Sequence, residues 1–338
     1  MSTPIFTPAP LDVRPFVPRP WLTNGHAMTI FAWARTRQFP ALPAPEARPF
    51  RLSDDATVVA HCYWQRERAA AATLVALHGL EGSSEAHYMR GLAHKAWQRG
   101  WNAVLLNQRN CGGTEHLSKG LYHSGLTADP RQVMRMLAAE ERLRAFGVVG
   151  YSLGGNLTIK LAGELGDGTD PPIRGVVAVS PTIDLATCVH AIERRSNVVY
   201  EWNFVRHLKA RMRRKVDVLP GSFDLSALGP IRTIRAFDDA YTAPHHGFAG
   251  AADYYHRASA MRVVDQIRIP ALILTAQDDP FVPPAQFQNA AVRSNPHVQV
   301  RIERHGGHCG FVAAAENGSD GYWAEDVAVQ FLAPVMRV

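Results

Sequence analysis

Three short segments of this 338-residue chain carry residues able to do nucleophilic chemistry. The first is Gly150-Tyr151-Ser152-Leu153-Gly154-Gly155, a G-x-S-x-G pattern. It stands where an apolar strand, Phe146–Tyr151, gives way to a helix expected from about Leu153 to Leu165. A serine pushed out of a strand end needs a sharp, strained turn, and flanking glycines relieve the crowding. The following helix aims backbone N–H groups and the positive end of its dipole at the same place. A hydroxyl alone is a poor nucleophile, so a base and an orienting acid are required. Both are expected on loops after later strands, in the order serine, aspartate, histidine. Gln277-Asp278-Asp279-Pro280 follows an expected strand over Ala271–Thr275. His305-Gly306-Gly307-His308-Cys309-Gly310-Phe311 follows one over Val298–Ile302. A Gly-rich turn, a solvated Asp-Pro turn or a polar histidine loop is ordinary alone. All three, each following an apolar strand and in this order, point to acyl transfer.

The residues leave two choices open. Asp278 and Asp279 are adjacent, and their side chains diverge if the chain is extended there. Pro280 biases Asp279 toward that geometry. His305 and His308 share a loop, and the two glycines before His308 favour its close approach to the serine. His78-Gly79-Leu80-Glu81-Gly82 ends the first central strand, Thr73–His78. The backbone N–H groups of Leu80 and Leu153 are the expected oxyanion donors. Cys309 reads as a small, partly buried thiol. His245-His246 lacks a carboxylate or cysteine at ligand spacing and reads as a solvated loop. Tyr122-His123 either lines the pocket or packs before the next helix. The cysteines, Cys62, Cys111, Cys188 and Cys309, form no C-x-x-C pair, which argues against a disulfide framework or a zinc site of that type. No cofactor or metal is implied.

Nearly continuous apolar strands alternating with helices imply a mostly parallel sheet of about eight strands, buried by helices on both faces. Arg51–Ser53 and Thr57–Trp64 open it as an antiparallel pair around Asp54-Asp55. Asn102–Leu106 and Arg174–Ser180 are further strands. Ala86–Arg99, Leu126–Arg144 and Trp323–Leu332 are expected helices. Residues 1–45 hold 9 of the 23 prolines and form an arm with a short helix around Asn24–Arg37. Residues 46–338 form one domain. The roughly ninety residues between Ser180 and Ala271 exceed what a crossover helix needs, so a helical cap is expected at about 185–260. Within it Val198, Trp202, Val205, Leu208 and Met212 fall on one helical stripe.

The formal net charge is +6, yet Arg194–Lys215 alone holds eight basic residues and one acid. The rest of the chain is nearly neutral, and no recognition motif accompanies the basic run, which argues against a nucleic-acid binder. The run reads as a solvated helix face, or as one that steers anionic substrates or makes weak contact with a membrane surface. No apolar run approaches the ~18 residues of a membrane span, and no signal-peptide layout opens the chain. A cytoplasmic protein is the expectation. Oligomeric state is not encoded in these patterns.

The chain resembles an α/β-hydrolase, more narrowly the YheT-like branch related to ABHD-type esterases and the yeast medium-chain ethanol acyltransferases. Trp21-Leu22-Thr23-Asn24-Gly25-His26 with Thr29-Ile30 is similar to that branch's N-terminal signature. Asn107-Gln108-Arg109-Asn110-Cys111-Gly112-Gly113 and Tyr122-His123-Ser124-Gly125 resemble its segments after the fourth strand. Phe237-Asp238-Asp239, Gly247-Phe248 and Asp253-Tyr254-Tyr255 resemble its cap. The acid and histidine loops match as well, so the likeness runs from about residue 20 to 311. Ala276 departs from the glycine that many hydrolases place before the acid turn. The resemblance implies Ser152 as nucleophile, Asp279 as acid and His308 as base, acting on a small-molecule or lipid-like ester of short or medium acyl chain. Two rivals share these residues: an acyltransferase using an alcohol acceptor, and a non-catalytic binding protein on a hydrolase scaffold.

Overall fold

The computed structural model describes residues 14–316 and 318–338. Met1–Val13 of the proline-rich arm lie outside the described residues. From Val17 the arm runs over the domain, where Pro18 bridges Ala313 and Arg19 N–H donates to the Val312 carbonyl at 3.1 Å. It then forms α1 (Gly25–Ala34), capped by the Asn24 side chain accepting from Ala27 N–H.

β1 (Glu46–Ser53) and β2 (Ala56–Tyr63) pair antiparallel, β1 starting earlier than its sequence suggests. There follow β3 (Thr73–Leu77), α2 (His87–Gln98), β4 (Asn102–Leu106), α3 (Ala128–Glu140), β5 (Phe146–Tyr151), α4 (Leu153–Leu165) and β6 (Ile173–Val179). α3 is shorter at both ends than the expected 126–144; Arg142 has a positive φ that ends the helical path. Between β6 and β7 stand α5 (Leu185–Ile192), α6 (Val198–Val218), α7 (Ile234–Phe237), α8 (Ala243–His245) and α9 (Ala251–Ala258). β7 (Ala271–Ala276), α10 (Ala290–Arg293), β8 (Val298–Glu303) and α11 (Trp323–Leu332) close the chain.

The eight strands lie in the order β1-β2-β4-β3-β5-β6-β7-β8, parallel from β4 to β8. Strand period sends neighbouring residues to opposite faces. Val75 and Leu77 join the core with α3 and α4, through Met134 and Leu157. Leu74 and Ala76 join the other core, with α2 and α11, through Leu92 and Phe331. Both faces of β3 and β5 are therefore dry, as their unbroken apolar sequence requires. The C-terminal ends of β3, β5, β7 and β8 share one edge of the sheet, the usual site for ligands in open α/β sheets.

The expected stripe on α6 is half right. Val205, Leu208 and Met212 are buried, but Val198 is 59% and Trp202 61% exposed. The helix also buries two of its cations: Arg211 is 3% and Lys215 0% exposed. Glu201, Leu208 and Lys215 turn inward with the apolar residues because seven residues span nearly two helical turns. The basic run is therefore not one solvated face. Among the described residues no helix is long and apolar enough to cross a membrane.

Candidate active site

Ser152 links β5 to α4 with φ +54° and ψ −116°, a conformation strained for a residue with a side chain. The turn is wedged against its neighbours. A Cβ on Gly150 would stand 2.0 Å from the Gly154 carbonyl oxygen, and one on Gly154 would stand 2.3 Å from that of Leu77. Both positions therefore exclude a side chain, which explains the two glycines around the serine. Ser152 N–H donates to the Val179 carbonyl at 2.9 Å, tying the turn to β6.

Ser152 Oγ lies 2.9 Å from His308 Nε2. His308 Nδ1 lies 3.0 Å from Asp279 Oδ2 and 3.2 Å from Oδ1. The Asp279 carboxylate also accepts from the N–H groups of Phe281 (2.9 Å) and Val282 (3.0 Å), which fix its direction. With a carboxylate at Nδ1, the proton of a neutral ring belongs there and Nε2 presents its lone pair to the serine. Burial alone would depress the imidazolium. The Asp279 charge, and then the Cys309 sulfur, outweigh it and hold the His308 pKa well above the usual value. The ring of Phe281 packs edge-on against His308 with centroids 4.6 Å apart, shielding the pair.

The other aspartate and histidine of these loops stand apart. Asp278 Oδ1 accepts from Gly307 N–H at 2.9 Å, and its Oδ2 lies 3.4 Å from His305 Nδ1. Leu80 and Leu153 flank the serine: a Cβ on Gly79 would touch Ser152 Cβ at 3.3 Å. Among the described residues neither the Leu80 nor the Leu153 N–H donates to a protein acceptor. Tyr122 and His123 both line the cavity over Ser152, together with Leu208, Arg211 and Tyr254. Burial, with His246 second, pushes the His123 pKa down to about 3, so it is a neutral wall residue. The rings of His245 and His246 meet edge to face, and among the described residues no three His, Cys, Asp or Glu gather as a metal site. Cys309 donates its N–H to Ser180 Oγ at 3.2 Å and has φ +58°, so it shapes the loop. A more open hollow of about 490 Å³, lined by Arg109, Arg131 and Arg135, includes none of these groups.

Two contributors are not evident from motif spacing. Thr29 Oγ1 accepts from His308 N–H at 2.8 Å while donating to the Gly25 carbonyl at 2.7 Å. A Cβ on Gly25 would stand 1.8 Å from the Asp278 carbonyl oxygen, so α1 begins directly against the acid loop. The second is Glu81, buried beside Leu80 and joined to Arg211 and Tyr122. Thr29 belongs to the N-terminal signature, and Glu81 to the segment after the first central strand, where the sequence marks only the Leu80 N–H.

A family model described as alpha/beta hydrolase fold matches residues 72–315. The YheT protein of Escherichia coli strain K12 is 35% identical over 302 residues, covering 88% of this chain and 87% of its own. A monoacylglycerol lipase of Saccharomyces cerevisiae is 30% identical over 246 residues, covering 70% of this chain and 54% of its own. Among solved structures, the Pyrococcus furiosus esterase Pf2001 superposes with a TM-score of 0.57 at 16% identity, covering 95% of this chain and 99% of that one.

Proposed function

This chain belongs to the α/β-hydrolase fold family, in its YheT-like branch, and on that premise we propose that it is a serine hydrolase of carboxylic esters. One observation carries the reading: an unbroken relay from Asp279 through His308 to Ser152, at a cavity that Leu80 and Leu153 also line, their two N–H groups having no protein acceptor among the described residues. Ser152 Oγ attacks the ester carbonyl as His308 Nε2 takes its proton. The carbonyl oxygen gathers negative charge against the Leu80 and Leu153 N–H groups. His308 then gives the proton to the departing alkoxide, leaving an acyl-serine and the free alcohol. Water attacks the acyl-serine by the same steps reversed, His308 again serving as base. Asp279 stays ionised and stabilises the imidazolium each time.

Residues 185–260 form the cap over this site in the same reading, and the substrate is a small or lipid-like ester of short or medium chain. The apolar walls, Leu208, Phe204 and Phe281 among them, support an acyl chain there. Weak contact with an anionic lipid surface is part of the proposal. It is supported by exposed Val198, Val199 and Trp202 beside Arg206, whose guanidinium stacks on Trp202 at 5.4 Å. Aromatic and basic side chains together suit a headgroup interface. Anionic vesicles should co-sediment the wild type at low salt and retain less of Trp202→Ser; equal retention refutes the contact.

The test of the hydrolase reading is Ser152→Ala. It should lower kcat on a p-nitrophenyl ester by about 10⁶-fold if the three side chains act as a unit, and abolish fluorophosphonate labelling. A folded Ser152→Ala protein that keeps several per cent of the activity overturns it.

A further inference from the structure

We propose that Arg211, on α6, is a positioning residue for the oxyanion hole, holding the Leu80 N–H in place through Glu81. The proposal rests on the ester-hydrolase reading and extends it to the basic helix, which that reading leaves without a task in the chemistry.

The loop after β3 is a four-residue turn, closed by Gly82 N–H donating to the Gly79 carbonyl at 3.0 Å. Leu80 and Glu81 are its two corners. Glu81 occupies the third position with φ +56°, where glycine or asparagine is the usual residue. Only glycine is free of strain there, so a glutamate must be held by its side chain. The structure supplies the holding groups. Glu81 N–H donates to Tyr122 Oη at 2.9 Å, and Tyr122 Oη donates back to Glu81 Oε1 at 3.1 Å. Arg211 Nε lies 2.9 Å from the same Oε1, and its guanidinium carbon sits 4.7 Å from the Tyr122 ring centroid. The Glu81 side chain is 8% exposed, so its charge has little water to lean on. On the other side, Gly79 N–H donates to Tyr88 Oη at 3.2 Å. The peptide carrying the Leu80 N–H is thus pinned at both ends, and the distal pin is a cation delivered by α6.

Removing that cation leaves a buried carboxylate without its counter-charge. The favourable response is for Glu81 to turn toward water, which unwinds the turn and swings the Leu80 N–H. Leu153 is unaffected, because α4 holds it. The site would keep its nucleophile, its base and one of two donors. A structural ion pair with no part in the chemistry would alter folding stability and nothing specific to the oxyanion.

The experiment compares an oxo-ester with its thiono counterpart, whose C=S sulfur is a weak hydrogen-bond acceptor and draws little on the hole. Arg211→Met should lower kcat for the oxo-ester by about 10²-fold, the scale of one lost donor, with KM changed only a few-fold. The thiono-ester rate should change little, so the oxo-to-thiono ratio collapses. Arg211→Lys, which keeps the charge, should restore most of the ratio. Tyr122→Phe, which removes only the hydroxyl, should lower the ratio too and serves if Arg211→Met does not fold. An unchanged ratio in the folded variants, whatever their total activity, overturns the proposal. If the wild type itself shows no Ser152-dependent hydrolysis, the hydrolase reading fails instead, and the two failures are distinguishable.

Discussion

Asp278 and Asp279 are consecutive in the chain and hold two different parts of the same histidine loop. Asp278 accepts from Gly307 N–H at 2.9 Å, while Asp279 faces His308 Nδ1 at 3.0 Å. Asp278 lies in the turn that follows β7, where Asp279 N–H donates to the Ala276 carbonyl at 3.5 Å, and Pro280 biases Asp279 itself toward extended geometry. Asp279→Asn should lower kcat by about 10⁴-fold, because an amide donor in place of the carboxylate favours the wrong imidazole tautomer. Asp278→Asn should cost far less, since an amide oxygen can still accept from Gly307. Steady-state kinetics on the two purified variants decide; the reverse ranking would move the acid's role to Asp278.

The pH profile carries a sign. In the proposed mechanism His308 must be neutral to accept the serine proton, and the Asp279 carboxylate raises its pKa well above the usual histidine value despite burial. kcat/KM should therefore rise with pH through a midpoint above ~6.5 and level off on the alkaline side. Asp279→Asn removes the charge, so its residual activity should show that limb shifted toward acid. A limb that stays in place contradicts the assignment. Stability runs the other way. The native state holds the His308 proton more tightly than the unfolded chain does. That contribution is full below the unfolded value and fades as pH rises through the folded one.

Thr29 reaches His308 from the N-terminal arm. Thr29→Val keeps the shape of the side chain but leaves the His308 N–H without its acceptor at 2.8 Å. An unpaired buried donor costs about 1–3 kcal/mol. Urea unfolding should show a loss of that size, together with a fall in kcat that Thr29→Ser largely avoids. A Thr29→Val protein with wild-type kcat would make α1 a mere cover.

Two cations of α6 should behave in opposite ways. Lys215 Nζ donates to Asn110 Oδ1 at 2.7 Å, to the Glu115 carbonyl at 3.0 Å and to the Ser118 carbonyl. Burial, with Arg211 second, pushes its pKa down to about 8. Lys215→Ala strands three acceptors and should cost about 3 kcal/mol or more in urea unfolding. Arg213 is exposed, and Arg213→Ala should stay within ~0.5 kcal/mol. Equal effects would mean that the basic run is a uniform surface after all.

What the sequence determined by itself is local. α4 begins at Leu153 and ends at Leu165, and α11 spans Trp323–Leu332, as their periodicity and turn residues predict. The strands that carry the site are legible for the same reason: their apolar runs are continuous and short. Ser152 is legible because a strained turn demands glycines within two residues of it. The order of acid and histidine loops follows from the strands before them.

Tertiary structure decided the pairings. An apolar stripe at helical spacing fits more than one helix face, so Trp202 and Val198 read as buried and are not. The cations of α6 all look alike in sequence. Arg211 and Lys215 are distinguished by distant partners, Glu81 and Tyr122 for the first, Asn110 and the Glu115 and Ser118 carbonyls for the second, which satisfy a charge that would otherwise stay in water. Thr29 and His308 meet across 279 residues. A hydrophobic period records how often a residue is buried along its own element. The partner that makes burial of a charge or a donor affordable belongs to another element, and only the folded chain brings the two within hydrogen-bond distance.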